Sequence, residues 1–208
     1  INIIDFESNL FISEIAIRRE NFAEGELNFN GPEELWETVS ISNSKNSFFY
    51  ADETNISRLS WSLYPYLDSS FFDPDDPIRF TIGAELLAKY KILPSTSISG
   101  SLRQPIAGTL DKIKRDPKRG TPNVRSDFMY YYRDISSNLF INYLTLDQYI
   151  KPSPNLYALV NIGFLEMMHA GVRAEVIWKK NTKPYGFGLD VAKVQKRDTY
   201  GRFKLKDE

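Results

Sequence analysis

Cysteine is absent from this chain of 208 residues, and histidine occurs once. Without cysteine there is no disulfide, no thiolate metal site and no sulfur nucleophile. A single imidazole rules out a His-rich metal centre and leaves little room for imidazole acid–base chemistry. Charge of one sign is also missing, because 26 basic residues face 27 acidic ones. Such a balance does not suit a general nucleic-acid binder, and no nucleic-acid partner is expected. Long apolar runs are lacking too. No stretch approaches the ~18 consecutive apolar residues of a membrane-spanning helix. That leaves membrane strands open, since a barrel strand is only half apolar and the mean hydropathy is a mild −0.37. GxSxG, P-loop and HExxH patterns are absent, so the chain is expected to be no enzyme and to hold no metal or cofactor.

What the chain does have is aromatic mass. Its 14 Phe, 12 Tyr and 3 Trp supply ample surface to bury, which excludes intrinsic disorder. The near-zero charge also hides a split. Residues 1–54 carry 11 acidic and 3 basic side chains, and residues 55–208 carry 16 and 23. Two modules with different surroundings are expected, with the boundary near Asn55. The chain opens at Ile1 without Met or a signal sequence, which reads as a processed or excised segment.

The acidic part, residues 1–55, reads as a small α/β piece. Leu10, Ile12, Ile15 and Ile17 lie in an extended β-branched run. Glu24 to Asn30 reads as a second strand, with Leu27 and Phe29 on one face. Pro32-Glu33-Glu34-Leu35-Trp36 reads as a helix start. Proline fits the first turn, and two carboxylates suit the positive end of the dipole. Ser40 to Asn55 reads as loop.

Beyond residue 55 the period becomes two. Phe80, Ile82, Ala84, Leu86, Ala88 and Tyr90 form one row, opposite Arg79, Thr81, Gly83, Glu85, Lys89 and Lys91. Leu156, Ala158, Val160, Ile162 and Phe164 form another, opposite Asn161 and Gly163. Val172, Ala174, Val176 and Trp178 oppose Arg173, Glu175 and Lys179. Tyr185, Phe187, Leu189 and Val191 oppose Gly186, Gly188 and Asp190. Side chains alternate faces along a strand, so each strand has a wet face and an apolar face. Several runs reach the ~9–11 residues of a tilted membrane strand, and Tyr90, Tyr157, Trp178 and Tyr185 fall near strand ends, as interfacial girdles do. An antiparallel β-sandwich gives the same alternation, with its apolar rows turned to a protein core.

Connection lengths lean towards a barrel. Leu93-Pro94, Pro152 to Asn155 and Lys180 to Lys183 are short, whereas Asp68 to Pro77 and Pro105 to about Ser137 are long. Outer-membrane barrels have short turns on one side and long loops on the other. This parity makes Ser95 to Gln104 an outward strand, Asn138 to Ile150 its return, and residues 105–137 external. Val124 to Asp134 then belongs to that excursion, with an extra strand pair as the alternative.

Gly163-Phe164-Leu165-Glu166-Met167-Met168-His169-Ala170-Gly171-Val172-Arg173-Ala174-Glu175-Val176 resembles the GYLEMMYAGVGGEVLYRP block of YjbH-like (GfcD-like) proteins. Tyr185 to Val191, followed by Val194 to Asp198, resembles that family's WAIGVDANYVKQRD. Val124-Arg125-Ser126-Asp127 and Ser101-Leu102-Arg103-Gln104 are also similar to it. The similarity spans about Ser57 to Phe203 and is specific between Tyr157 and Asp198. His169 stands where the family has Tyr, Arg173-Ala174 where it has Gly-Gly, and Gln195-Lys196 inverts its Lys-Gln.

The resemblance implies an outer-membrane β-barrel protein of exopolysaccharide or capsule export, much longer than this chain. On that basis residues 1–55 are the end of a periplasmic α/β domain, and residues 56–208 are antiparallel barrel strands. The expected partners are outer-membrane lipid, polysaccharide and other export-machinery proteins. A soluble periplasmic carbohydrate-binding β-sandwich is the rival.

Candidate contact residues follow. Lys112, Lys114, Arg115, Lys118 and Arg119 gather five cations within eight positions and suit lipopolysaccharide phosphates or an acidic polymer. A solvated loop is the commoner meaning of such a run. Tyr130, Tyr131 and Tyr132 suit stacking on sugar rings, or simply packing within the loop. Arg173, Glu175 and Asp190 share the polar face and are expected to line a wet interior or to pair across strands. Asp73, Asp75 and Asp76 have oxygen ligands for calcium, but a Pro/Asp turn explains them as well. His169 lacks a legible triad, and nothing selects Glu166 and Glu175 as a glycosidase pair.

Overall fold

The computed structural model describes residues 1–7, 10–42, 57–71, 76–114, 128–135, 138–180, 183–199 and 203–205. The chain divides into two compact units. The first comprises Ile1–Ile56, Gln148–Leu159 and Glu175–Asp190. The second comprises Ser57–Asp147, Val160–Ala174 and Val191–Glu208.

The first unit begins with a three-stranded antiparallel sheet. Strand β1 (Asn2–Glu7) pairs with β2 (Leu10–Ala16), and β3 (Ser40–Ser42) adds to the other side of β2. The extended run at Leu10 is thus a strand, and the first residues of the expected Ser40 loop are sheet. Residues 43–55 of that loop lie outside the described residues.

Two helices connect β2 to β3: α1 (Arg19–Leu27) and α2 (Gly31–Thr38). The strand expected at Glu24 to Asn30 is therefore mostly helix. Glu20, Ala23, Glu24 and Glu26 are good helix formers, and Leu27 and Phe29 have no partner strand and stand exposed. Helix α2 has Pro32 in its first turn with Glu33 and Glu34, as its sequence requires. Gly31 lets the two helices meet, because a Cβ there would lie 1.7 Å from the Gly25 carbonyl oxygen.

The remaining strands form one seven-stranded meander. They are β4 (Leu59–Phe71), β5 (Ile78–Leu93), β6 (Thr96–Gly108), β7 (Phe140–Ser153), β8 (Leu156–Phe164), β9 (His169–Lys179) and β10 (Gly186–Lys196). Each neighbours its sequence neighbour, with β4 and β10 at the edges among the described residues. The sheet is open as described, so the protein is mainly β with two antiparallel sheets.

The pairing is regular from Leu59↔Tyr90 to Phe71↔Ile78. Between β5 and β6 it shifts, because Ile82 pairs with Ala107 and Gly83 with Pro105, leaving Ile106 as an extra residue. Pro105 sits at this bulge and Pro65 on edge strand β4, two places where a missing N–H is tolerated. β6 runs past Gln104 to Gly108, so the long connection starts later than expected.

On β5, β6 and β7 polar side chains are buried while apolar ones on the other face are exposed, whereas β10 is exposed on both faces. Phe80, Ile82, Leu86 and Tyr90 on β5 are exposed, as are Ile98 and Leu102 on β6 and Val172, Val176 and Trp178 on β9. Arg79, Ser97, Ser101, Thr145 and Asp147 are buried. The apolar core is small and lies in the long connection. A short 3-10 turn (Leu110–Lys112) and helix α3 (Phe128–Ile135) bring Leu110, Ile113 and Met129 together. Phe128 and Tyr132 pack against them, four residues apart on one helix face. That helical spacing replaces the strand pair considered for Val124 to Asp134, of which Val124 to Asp127 lie outside the described residues. Among the described residues no helix is long and apolar enough to cross a membrane.

Candidate functional site

In the second unit the polar face of β4, β5 and β6 carries a charged cluster. The register sets Arg103 directly opposite Glu85. Arg103 Nη1 donates to both carboxylate oxygens of Asp68 at 3.3 Å, and Nη2 donates to Glu85 Oε2 at 3.2 Å. The Arg103 Nε lies 3.0 Å from Glu85 Oε1. The Ser101 hydroxyl donates to the same Glu85 oxygen. One guanidinium thus bridges two carboxylates from two strands, in the forked geometry that only arginine offers.

Tyr66 completes the cluster, with the Arg103 guanidinium carbon 4.7 Å from its ring centre. Gly83 lies opposite Tyr66 on β5. A Cβ at Gly83 would come within 2.5 Å of the Tyr66 ring and 2.3 Å of the Gln104 carbonyl oxygen. The glycine gives the ring its place over the strand. On β7 and β8, Asn161 Nδ2 donates to Asp147 Oδ1 at 2.7 Å. Sequence parity placed Glu85 on the wet row, but the partnership of Asp68, Glu85 and Arg103 was not foreseen.

A second group of contacts joins α3 to the end of β10. The Tyr131 hydroxyl donates to the Arg197 carbonyl at 2.7 Å. The buried Arg197 guanidinium donates through Nη1 to the carbonyls of Asn142 (3.2 Å) and Glu166 (2.7 Å). It also lies over the Phe164 ring at 4.2 Å. Burial pushes this guanidinium down to about 10, which leaves it charged at neutral pH. Asp134 on α3 accepts from the Thr199 hydroxyl. His169 Nδ1, at the start of β9, lies 2.5 Å from Glu166 Oε1 in the β8–β9 connection.

The residues expected to contact a ligand are spread among these places. Lys112, the last residue of the 3-10 turn, and Lys114 just after it are exposed, and Arg115, Lys118 and Arg119 lie outside the described residues. Tyr130 is half-buried with the Arg133 guanidinium 4.9 Å from its ring. Tyr131 is fully buried, so its ring belongs to the interior and offers no stacking face. Tyr132 meets Phe128 edge-on at 6.0 Å. Arg173 and Glu175 are half-buried on β9, and Asp190 is exposed on β10. Asp76 pairs with Arg79 at 3.8 Å, whereas Asp73 and Asp75 lie outside the described residues.

In the first unit, Lys151 of β7 fixes the backbone of β2. Its ammonium donates to the carbonyls of Phe11 (2.5 Å) and Ile12 (3.5 Å), and sits 4.9 Å and 5.3 Å from the Phe11 and Tyr157 ring centres. The Tyr157 hydroxyl also donates to Ile12 O at 3.5 Å. Tyr157 therefore faces the N-terminal sheet and is not part of an outward aromatic row. Its odd position on β8 dictates this, opposite in parity to Leu156 and Ala158.

The sequence profile of the YjbH family, described as exopolysaccharide biosynthesis protein YbjH, matches residues 1–208. An uncharacterized lipoprotein YjbH of Escherichia coli (strain K12) is 26% identical over 161 residues, which cover 76% of this chain and 22% of that protein. The chain thus spans about a fifth of the relative's length. No solved structure matches.

Proposed function

The chain belongs to the YjbH family of exopolysaccharide biosynthesis proteins, and from that premise we propose that it forms part of an outer-membrane β-barrel that takes part in polymer secretion. The work is physical rather than enzymatic. Outward apolar rows anchor the wall in lipid, inward polar rows face water, and the exposed lysines of the long connection meet polysaccharide or lipopolysaccharide. Other export-machinery proteins are expected partners. The relative's description as a lipoprotein supports a cell-envelope location.

The observation that carries this reading is the inverted burial on β5, β6 and β7 of the seven-stranded sheet. Exposed Phe80, Ile82 and Leu86 back onto buried Arg79 and half-buried, ion-paired Glu85. In water each such apolar side chain forgoes ~1.5–3 kcal/mol that a lipid environment returns. The carbohydrate-binding sandwich needs Phe80, Ile82, Leu86, Val160 and Ile162 in a protein core, yet four of them are exposed and Val160 is half-buried.

Strand lengths and connections support it further. The seven strands have 9 to 16 residues, against the ~9–11 needed to span a bilayer. Two-residue turns at Pro94-Ser95 and Pro154-Asn155 fall at one end of the sheet, and the long 109–139 connection at the other. Exposed Trp61, Tyr90, Trp178 and Tyr185 cluster towards the short-turn end, as an interfacial girdle would.

Membrane fractionation of the native protein tests the proposal. Extraction from outer membrane by detergent and heat-modifiable migration in gels are expected. A protein that is soluble and monomeric without detergent overturns it.

A further inference from the structure

We propose that the first unit holds a binding cavity for a short neutral saccharide segment, built where the N-terminal sheet meets the first-unit ends of β7, β8 and β9. This rests on the polysaccharide part of the reading above but not on the membrane part. The cavity measures about 410 Å³, within the ~300–1,000 Å³ range of small-molecule sites. Its walls are mostly apolar and include Leu10 from β2, Tyr149 from β7 and Tyr157 from β8. Its ionisable groups are Asp5 from β1 and Glu175 and Lys179 from β9.

A sugar ring has an apolar C–H face and a polar rim. The tyrosine and aliphatic walls suit the face. The two carboxylates and the ammonium suit the hydroxyl rim, where each hydrogen bond to a charged group is of the stronger kind. Asp5 and Glu175 are balanced by Lys179 and by Lys151, whose ammonium sits 5.3 Å from the Tyr157 ring, so no net positive charge draws in uronic acids, sulfates or phosphates. An alkyl chain fits less well. It would match the apolar walls but bring no hydrogen bond to the polar rim.

The Lys151 and Tyr157 bonds to β2 hold the two walls together, so the cavity exists before any ligand arrives. Pre-formed walls lower the ordering cost of binding. Glu175, expected from sequence to face a wet interior, acquires a specific role here.

The test is calorimetric titration of the full chain with neutral oligosaccharides released from the exopolysaccharide of the producing cells. Dodecanoate and oligogalacturonate serve as the alkyl and acidic probes. Leu10→Trp should fill the cavity and Tyr149→Ala should remove an aromatic wall, each weakening neutral-saccharide binding about tenfold or more. Far-UV spectra must remain those of the parent, and a misfolded variant is replaced by Ile177→Trp, which fills the same cavity from β9. Absence of saccharide binding overturns the inference, as does binding unaffected by the filling variants. Preferential uptake of dodecanoate or oligogalacturonate also overturns it. If polymer secretion stays intact while the isolated chain binds no saccharide, this cavity fails and the secretion reading survives.

Discussion

The Tyr131 hydroxyl and the Arg197 carbonyl share a fully buried 2.7 Å hydrogen bond that ties helix α3 to the end of β10. These residues are 66 positions apart in sequence. Helix α3 is thereby fastened to the segment that follows β10, a tie that Asp134 reinforces by accepting from the Thr199 hydroxyl. Tyr131→Phe removes the donor and leaves a buried carbonyl unsatisfied, a loss of ~1–3 kcal/mol. Denaturant unfolding should show this loss, and far-UV spectra should show unchanged strand content.

Arg103 holds apart two carboxylates that would otherwise confront each other on the polar face. Its side chain is 20% exposed, and those of Asp68 and Glu85 are 24% and 13% exposed. Removing one member of such a part-buried network costs more than the network contributes net. Arg103→Ala should therefore destabilise by ~2–4 kcal/mol, and adding Glu85→Gln should recover part of it. Arg103→Lys should recover less than half, because an ammonium cannot fork between two strands. A double-mutant cycle on unfolding free energies measures the coupling.

Much of the sheet was legible because period-two alternation needs no partner to be seen. The row Phe80 to Tyr90 identifies both faces of β5 from sequence alone. Cross-strand chemistry was not legible, because Glu85 meets Arg103 only in one register, and a bulge at Ile106 helps set it. Helix α1 is hidden in the sequence because Leu27 and Phe29 alternate like a strand over two positions, while the Glu-rich turn before them carries the helical signal. Sequence alone leaves Tyr130, Tyr131 and Tyr132 between stacking on sugar rings and packing within the loop. On a helix, three consecutive residues point about 100° apart, so one of them, Tyr131, became core.

Gly83 makes a separate prediction. Gly83→Ala places a methyl 2.5 Å from the Tyr66 ring and 2.3 Å from the Gln104 carbonyl oxygen. The ring can move, but the backbone of the neighbouring strand cannot without breaking its pairing. A loss of ~1–3 kcal/mol is expected. Combining it with Tyr66→Leu should restore only part, since the carbonyl clash remains. Full rescue by Tyr66→Leu would show that the ring alone sets the spacing.

Lys151→Met tests how β2 is held. It removes the two bonds to the Phe11 and Ile12 carbonyls and the cation above the Phe11 and Tyr157 rings. A loss of ~1–2 kcal/mol local to this site is expected. Hydrogen exchange should accelerate in β1, β2 and β3 and stay unchanged in β4, β5 and β6. Uniform acceleration across both sheets would mean that Lys151 supports the whole fold and not the N-terminal sheet.

The outward face separates the two environments most sharply. Ile82 is exposed on β5, whereas Ser99 of β6 lies on the polar face with buried Ser97 and Ser101. In water, Ile82→Lys exchanges one exposed side chain for another and should change stability by less than ~0.5 kcal/mol. In lipid, a lysine near the bilayer midplane costs ~2–4 kcal/mol, falling towards zero at the interfaces. Ser99→Lys should be tolerated where the polar face meets water and the cross-strand neighbour, Lys89, can turn aside. The proposed barrel therefore predicts that Ile82→Lys sharply lowers the heat-modifiable folded fraction in membranes, while Ser99→Lys leaves it near the parental level. Equal tolerance of both lysines would place this face of β5 in water and remove the membrane reading.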